Sequence, residues 1–255
     1  MQPFFSIIVP TYNAEILLPF AIRSLTSQDF ADFEVLILDG LSDDNTLAIA
    51  QQLATNDSRI KVYCEKDDGI YDAMNKGILK SKGQYLYFLG SDDTIFKNTV
   101  LSCVHQSLLN YPVDVLYGDV YMTKFRRLYA GEFTKEKLFY HNICHQSIFL
   151  KKSVFTRTGL FNVKYVVLAD YDNNIKWFLS NKISSRYDSI IVANYAHGGF
   201  SSQNGDDVFN KSKKWLFLRR ASWLMPLSFY KKMIKNSFKL KYKRYVLGGR
   251  GTSEF

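Results

Sequence analysis

Short apolar runs alternate along this chain with longer stretches in which apolar residues recur every three or four positions. Phe5-Ser-Ile-Ile-Val has the continuous apolar character of a buried strand, and Pro10 is expected to stop it. From Ala14 to Ser27 the residues Ile16, Leu17, Phe20, Ile22 and Leu25 keep a period near 3.6, which predicts a helix. Phe33-Glu-Val-Leu-Ile-Leu-Asp predicts a second strand, and the polar turn Gly40-Leu-Ser-Asp-Asp-Asn-Thr is suited to capping a helix over 46–55. Ile60-Lys-Val-Tyr-Cys reads as a third strand and Ile70 to Lys80 as a helix ended by Gly83. Gln84-Tyr-Leu-Tyr-Phe-Leu then reads as a fourth strand running into Gly90-Ser-Asp-Asp. Strand and helix in alternation predict parallel strands with right-handed crossovers, hence an open α/β sheet.

Such sheets bind ligands beyond the carboxyl ends of their strands. Four polar clusters fall at those ends: Thr11-Tyr-Asn, Asp39-Gly, Glu65-Lys-Asp-Asp and Ser91-Asp-Asp. Topology alone therefore sends them to one crevice. Further on, Val113 to Met122 predicts a strand or hairpin arm, Ser147-Ile-Phe-Leu a strand, Asp170 to Leu179 a helix and Ser189 to Ala196 another strand. There is no internal repeat and no low-complexity linker.

A length of 255 residues lies near the upper limit of one hydrophobic core, and 47% hydrophobic with 22% charged residues excludes a disordered chain. The 3 cysteines, Cys64, Cys103 and Cys144, are odd in number and widely spaced, which fits a reducing compartment such as the cytoplasm. The first residues lack a basic region and their apolar run breaks at Pro10, so a signal peptide is not expected. No run approaches the roughly 18–20 apolar residues of a membrane span.

The net charge of +9 is unevenly spread. Val208 to Ser253 holds 13 Lys or Arg and no acid, whereas the first 207 residues hold 20 basic and 23 acidic side chains. This break predicts a body over 1–205 and a basic, aromatic-rich helical extension over 206–255. The extension mixes cations and aromatics at helical spacing, which suits either an anionic membrane surface or packing on the body. Nucleic acid is not expected, because nothing in the body resembles a nucleic-acid module.

Adjacent carboxylates at a strand end, as in Asp92 and Asp93, suit a hard divalent cation; a Ser-Asp-Asp-Thr turn capping a helix is the plainer alternative. Several further carboxylates, Asp39, Glu65, Asp67 and Asp68, sit on neighbouring strand ends and would repel without a cation. Tyr12 stands where an aromatic face can stack on a base, or serves as a loop tyrosine. No GxGxxG follows the first strand and no GxxxxGK[ST] occurs, which weighs against dinucleotide binding and P-loop chemistry. Asp170 opens a helix, either as a cap or as a general base for an incoming hydroxyl. His145-Gln146 and His197-Gly198-Gly199 are the remaining polar pairs.

Taken together, Ser6-Ile-Ile-Val-Pro-Thr-Tyr-Asn-Ala-Glu, Asp39-Gly-Leu-Ser-Asp-Asp-Asn-Thr, Asp67-Asp-Gly-Ile-Tyr-Asp-Ala-Met-Asn-Lys-Gly-Ile and Leu89-Gly-Ser-Asp-Asp resemble the family 2 glycosyltransferases. His145-Gln-Ser-Ile-Phe, Ala169-Asp-Tyr-Asp and Gly198-Gly-Phe-Ser are similar to its bacterial O-antigen and capsule branch. The resemblance spans about residues 5–201. It implies a GT-A (nucleotide-diphospho-sugar transferase) fold, an open, mostly parallel twisted sheet flanked by helices, here with a basic helical appendage.

The implied activity is inverting transfer from a nucleotide-diphosphate sugar, a UDP-sugar being favoured, to a saccharide or lipid-linked saccharide acceptor. Pro10, Thr11, Tyr12, Asn13 and Glu15 would line the nucleotide site, with Asp39 accepting from the base imide. Asp68 would close over the nucleotide, Asp92 would lie near the ribose and Asp93 would hold Mg²⁺ or Mn²⁺, with His197 as a second metal ligand. Asp170 matches the catalytic base, although Ala169 stands where the family often has Glu. His145, Gln146, Gly198 and Gly199 would touch acceptor or donor sugar. The implied location is the cytoplasm, peripheral on the inner membrane face. A sugar nucleotidyltransferase and a catalytically silent nucleotide-sugar-binding module remain alternatives; the first usually carries a glycine-rich cationic loop where this chain has Pro10-Thr-Tyr-Asn-Ala-Glu.

Overall fold

The computed structural model describes residues 2–196, 205–221 and Phe229. Its first half is built from β1 (Phe5–Thr11), α1 (Leu18–Thr26), β2 (Phe33–Asp39), α2 (Thr46–Asn56), β3 (Ile60–Cys64), α3 (Ile70–Lys80) and β4 (Tyr85–Phe88). The strand and helix alternation expected there is present. The second half comprises β5 (Thr94–Ile95), α4 (Val100–Asn110), β6 (Val115–Met122), β7 (Arg127–Tyr129), α5 (Lys135–Tyr140), β8 (Ile148–Lys151), α6 (Lys152–Thr158), α7 (Ala169–Phe178), β9 (Ser185–Tyr195) and α8 (Asp207–Ala221). A single 3-10 turn, His145–Ser147, precedes β8.

Among the described residues the strands form one sheet in the order β3-β2-β1-β4-β8-β6-β9-β5, with β7 beside β6. β3, β2, β1 and β4 are parallel throughout. Beyond β4 the sheet is mixed: β8 runs antiparallel to β4 and β6, β7 to β6 and β5 to β9, whereas β6 and β9 are parallel. Every residue of β1 and β2 is buried, because helices cover both faces. Side chains alternate between two cores accordingly. Ile8, Leu36, Leu38, Leu86 and Phe88 face α3 and α7, and Phe5, Ile7, Val9, Val35 and Ile37 face α1 and α4.

Pro10 does not end the first strand, which continues to Thr11 and pairs with Leu38 and Asp39 of β2. The Ile8 carbonyl points to the β4 side, where it accepts from Leu89 N–H, and the Thr11 carbonyl points to the β2 side, where it accepts from Gly40 N–H. Pro10 therefore turns its missing donor toward β4, whose ladder has already ended opposite Ile8. Proline costs no sheet hydrogen bond at such a position.

Two features place the ligand crevice. Register aligns Thr11, Asp39 and Cys64 in one row, so β1, β2 and β3 finish level. From β1 the chain winds one way to β2 and β3, while β4 lies on the other side, so the switch point falls between β1 and β4.

The helix α8 packs on the body. Phe209 and Phe217 are fully buried in the core that contains Trp177 and Tyr165. Asp206, itself buried, accepts from Phe209 N–H at 2.8 Å and from the N–H groups of Val167 and Leu168 at 3.1 and 3.2 Å. The helix start and the segment before α7 thus share one carboxylate.

Candidate active site

A cavity of about 1220 Å³ opens at the carboxyl ends of β1, β2 and β4. Pro10, Thr11, Tyr12, Asn13, Glu15, Asp68 and Asp92, all expected at the site, line it. Tyr12 is 60% exposed, and its hydroxyl makes only a long 3.4 Å contact to Asp43 Oδ2. Its ring is open to a planar ligand. Thr11 is buried and its hydroxyl donates to Val9 O at 3.1 Å.

Asn13 and Glu15 hold the first two loops together. Asn13 takes φ 48°, its N–H donates to Ser42 Oγ at 2.9 Å, and its Oδ1 accepts from Asp43 N–H at 2.9 Å. Glu15 Oε2 accepts from the backbone and side-chain N–H groups of Asn45 at 3.0 and 2.9 Å. Asp44, just before α2, accepts from Thr46 N–H at 2.9 Å and from Glu15 N–H at 3.2 Å, whereas Asn45 at the N-cap makes no side-chain capping bond. The side chains of Asn13 and Glu15 are thus already committed to shaping the rim.

Asp39, Asp93 and Asp170 do not line the cavity; each adjoins a residue that does, Gly40, Asp92 and Tyr71 respectively. Asp39 is 1% exposed beneath Gly40 and accepts from Ser42 Oγ at 2.6 Å, Ser42 N–H at 3.2 Å and Cys64 Sγ at 3.3 Å. Its carboxylate is occupied by protein donors rather than turned to the cavity. Asp67, next to Asp68, lies on the wall; burial raises its carboxyl pKa, opposed by the Gly69 N–H it accepts at 2.9 Å. Gly69 precedes α3 at φ 107°, a conformation that favours glycine and lets the chain turn sharply from the rim into the helix.

Asp93 is 2% exposed; its Oδ2 accepts from Gln146 Nε2 at 2.6 Å and its Oδ1 from Ala196 N–H at 2.8 Å. Burial, joined by the neighbouring Asp92 charge, pushes its carboxyl up to about 7 despite those two donors. Burial also raises Asp92.

Asp170 is buried in the first turn of α7. Its Oδ1 faces Tyr171 N–H at 2.7 Å and the Tyr71 hydroxyl at 3.0 Å, and its Oδ2 faces Asn142 Nδ2 at 2.9 Å and His145 Nδ1 at 3.3 Å. Tyr71 lines the cavity, and burial followed by the Asp170 charge keeps its phenol well above the ordinary range.

The 3-10 turn therefore joins the two buried acids: His145 reaches Asp170 while the next residue, Gln146, reaches Asp93. Tyr71 and Asn142 were not singled out from the sequence. Asn142 lacks any local pattern, and its place depends on Asn174 of α7, whose Nδ2 donates to Asn142 Oδ1 at 2.9 Å and to Ile143 O at 2.8 Å. Tyr71 carried a signal in retrospect, a tyrosine on the first turn of a helix that begins at the strand-end crevice. His197, Gly198 and Gly199 lie outside the described residues.

Among the described residues no group of three or more His, Cys, Asp or Glu is arranged to hold a metal ion. The pair Asp92 and Asp93 nevertheless suits one. A Cβ added at Gly90 would meet Asp92 Oδ1 at 2.7 Å and Asp93 Oδ2 at 2.8 Å, so both carboxylate oxygens converge over that glycine. One or two carboxylates completed by waters and substrate phosphates is the habitual donor set of Mg²⁺, and hard oxygen ligands equally suit Mn²⁺.

Known proteins resemble this chain. A PGL/p-HBAD biosynthesis glycosyltransferase of Mycobacterium bovis is 39% identical over 213 residues, covering 82% of this chain and 83% of its own. The GalNAc(5)-diNAcBac-PP-undecaprenol beta-1,3-glucosyltransferase of Campylobacter jejuni is 32% identical over 43% of this chain and 36% of its own. In structure, Staphylococcus aureus TarS, solved with UDP-GlcNAc, superposes with a TM-score of 0.67 at 22% identity over 85% of this chain and 72% of that one. A mannosyltransferase from Pyrobaculum calidifontis, in complex with GDP-Man and Mn²⁺, superposes with a TM-score of 0.63 at 15% identity over 97% and 83%. The fold is thus the GT-A fold of these transferases. Residues 6–160 match the model of the family described as Glycosyl transferase family 2, and with the mycobacterial relative that match makes the chain a member of this family.

Proposed function

We propose that the chain moves a sugar from a nucleotide-diphosphate sugar, a UDP-sugar being favoured, to a hydroxyl of a saccharide acceptor, with inversion at the anomeric carbon. One observation carries this reading: the turn His145–Ser147 ties Asp93 and Asp170 together behind the cavity wall that bears Tyr12 and Asp92. A base can stack on Tyr12, and the diphosphate can run toward Asp92 and Asp93. The complex of TarS with UDP-GlcNAc supports a uridine nucleotide.

A sugar hydroxyl is a poor nucleophile, and a positioned proton acceptor contributes about 10²–10⁴-fold. Asp170, the general base in this reading, takes the proton of the acceptor hydroxyl. The acceptor oxygen bonds to the anomeric carbon as the bond to the diphosphate breaks, so one displacement inverts the centre without an enzyme nucleophile. Asp93, with Asp92 and with His197 outside the described residues, would hold Mg²⁺ or Mn²⁺. Such an ion supplies Lewis-acid stabilisation of charge on the leaving diphosphate.

A lipid-linked acceptor is supported by the Campylobacter relative, whose name specifies an undecaprenol-linked substrate. On α8, Lys211, Trp215 and Arg219 follow at intervals of four, with Trp215 74% exposed, a face suited to an anionic membrane on the cytoplasmic side. Among the described residues no helix is long and apolar enough to cross a membrane. Trp215→Ala with Lys211→Glu tests this face by liposome sedimentation. Deleting the helix is unsuitable, because it removes the buried Phe209 and Phe217.

The main reading is tested by thermal stabilisation with a panel of nucleotide sugars, each with Mg²⁺, Mn²⁺ or chelator, followed by release of nucleotide diphosphate. Stabilisation by a nucleotide-diphosphate sugar with turnover is expected. Stabilisation by nucleoside triphosphates alone would favour a nucleotidyltransferase.

A further inference from the structure

Resting on the glycosyl-transfer reading, we propose that the acceptor carries an apolar aglycone, an alkyl or aryl group, and that Val163 and Val166 form its seat inside the cavity. Both valines line the cavity, and they remain 49% and 59% exposed. Phe161, Tyr165 and Val167, on either side and between them, are buried in the core. The segment roots itself through those three residues and leaves two apolar side chains on the cavity side.

It is held at both ends. Asn75 of α3 clamps Phe161, donating from Nδ2 to its carbonyl and accepting its N–H at Oδ1, each at 2.9 Å. At the other end the Tyr71 hydroxyl reaches Val167 O at 2.7 Å, and Asp206 accepts from the N–H groups of Val167 and Leu168. Between these anchors Tyr165 N–H closes a turn onto Asn162 O at 2.9 Å. Val163 and Val166 therefore form a fixed ledge, and a ligand that meets it pays little to order it.

The ledge belongs to the acceptor by its position. Tyr71 joins Val167 O to Asp170 Oδ1, which it approaches to 3.0 Å, so the ledge stands beside the general base to which the acceptor hydroxyl must come. Tyr12 and Asp92, assigned to base and diphosphate, follow β1 and β4 instead. The cavity of about 1220 Å³ also exceeds the roughly 300–1,000 Å³ of an ordinary one-ligand pocket, so a second molecule has room.

The chemistry of the ledge selects hydrocarbon. Neither valine side chain can donate or accept a hydrogen bond, so a hydroxyl or phosphate laid on it would lose water without replacement. Lys164, which stands between them in sequence, turns its ammonium over the Tyr165 ring at 4.8 Å. Each methylene buried there gains about fourfold in affinity. Ile16, Leu17 and Ile70 line the same cavity and extend its apolar lining. The aglycone is thus gripped in the cavity itself, independently of any membrane contact through α8, and a soluble short-chain glycoside suffices.

The test uses the full chain saturated with the nucleoside diphosphate of whichever nucleotide sugar stabilises it best. Methyl and octyl glycosides of several sugars are titrated by calorimetry, the octyl compounds below their micelle concentration. Octyl should bind at least about tenfold more tightly than methyl whatever the sugar, which takes about two buried methylenes. Val163→Asp and Val166→Asp, both at exposed positions, should each erase most of that preference, with the Kd of the nucleoside diphosphate changed no more than about threefold. Phe20, 63% exposed but outside the cavity, is the control, and Phe20→Ser should keep the octyl preference intact. The proposal is overturned if octyl and methyl glycosides bind alike, if the preference survives both valine variants, or if Phe20→Ser erases it. In each of these cases the glycosyl-transfer reading stands so long as a nucleotide sugar stabilises the chain and is turned over. If none does, that reading falls and the acceptor assignment with it.

Discussion

Gln146 donates to Asp93 at 2.6 Å, and the side chain one residue earlier reaches Asp170, 25 positions further along the chain. A short 3-10 turn thus fixes the spacing between the group assigned to the leaving phosphate and the group assigned to the attacking hydroxyl.

Asp170→Asn should lower turnover by about 10²–10⁴-fold while leaving donor affinity within a few-fold. The amide has nearly the same shape, but it faces Asn142 Nδ2 and Tyr171 N–H with at least one donor of its own. Calorimetric titration of the nucleotide sugar alongside product formation checks both halves. Unchanged turnover would remove this residue from the mechanism.

The Asp93 carboxyl, pushed up to about 7 by burial and by Asp92, gives a signed prediction. The folded protein holds this proton more tightly than the unfolded chain. Without metal, stability contributed here is therefore lost as pH rises from about 4 through about 7, by about 1–4 kcal/mol. The groups around it include Asp92, His145, Gln146, the Ala196 N–H, the Tyr87 phenol and the Cys144 thiol. Asp93→Asn should flatten that part of the curve, and Mn²⁺ with nucleotide should raise the Tm of the unaltered chain at pH 8 but not that of the variant. Differential scanning calorimetry across pH 5–8 measures this.

Tyr12→Ala should weaken nucleotide-sugar binding by about 1–3 kcal/mol, the usual worth of an aromatic face under a base, with kcat little changed. Tyr12→Phe should bind almost normally, because the hydroxyl makes only a long contact to Asp43. Equal affinities for all three would place the base elsewhere.

Asp206→Ala should destabilise the fold by about 2–4 kcal/mol, since three backbone donors lose a buried partner at once. Turnover should fall as well, because Val167 and Leu168 lead directly into Asp170. Urea unfolding and kinetics below the transition measure the two effects; Asp206→Asn should be milder.

The parallel half of the fold was readable from the sequence. Each of β1 to β4 is a short apolar run bounded by turn chemistry, and the helix expected from Ile70 to Lys80 coincides with α3. The mixed half was less readable, because strand direction depends on the route between strands rather than on residue type. β9 begins at Ser185, ahead of its apolar run, since Ser185 to Tyr187 pair with β6 through backbone groups that any side chain leaves intact.

At the site, the rim residues Thr11, Tyr12, Asp68 and Asp92 could be anticipated from their strand-end positions. The support behind the rim could not. Asn142 and Tyr71 reach Asp170 from 28 and 99 positions away, and no local pattern encodes a hydrogen bond at that range. Asp39 illustrates the opposite case: a carboxylate at the right strand end whose oxygens are taken by Ser42 and Cys64.

Pro10 has an effect that reaches past the sheet. Because its ring nitrogen faces the gap between β1 and β4, the floor of the crevice offers no amide hydrogen at that point. Replacing it with alanine would put one new hydrogen there, in reach of whatever sits above. The wall of the crevice beside β4 is thereby left without an amide donor at Pro10.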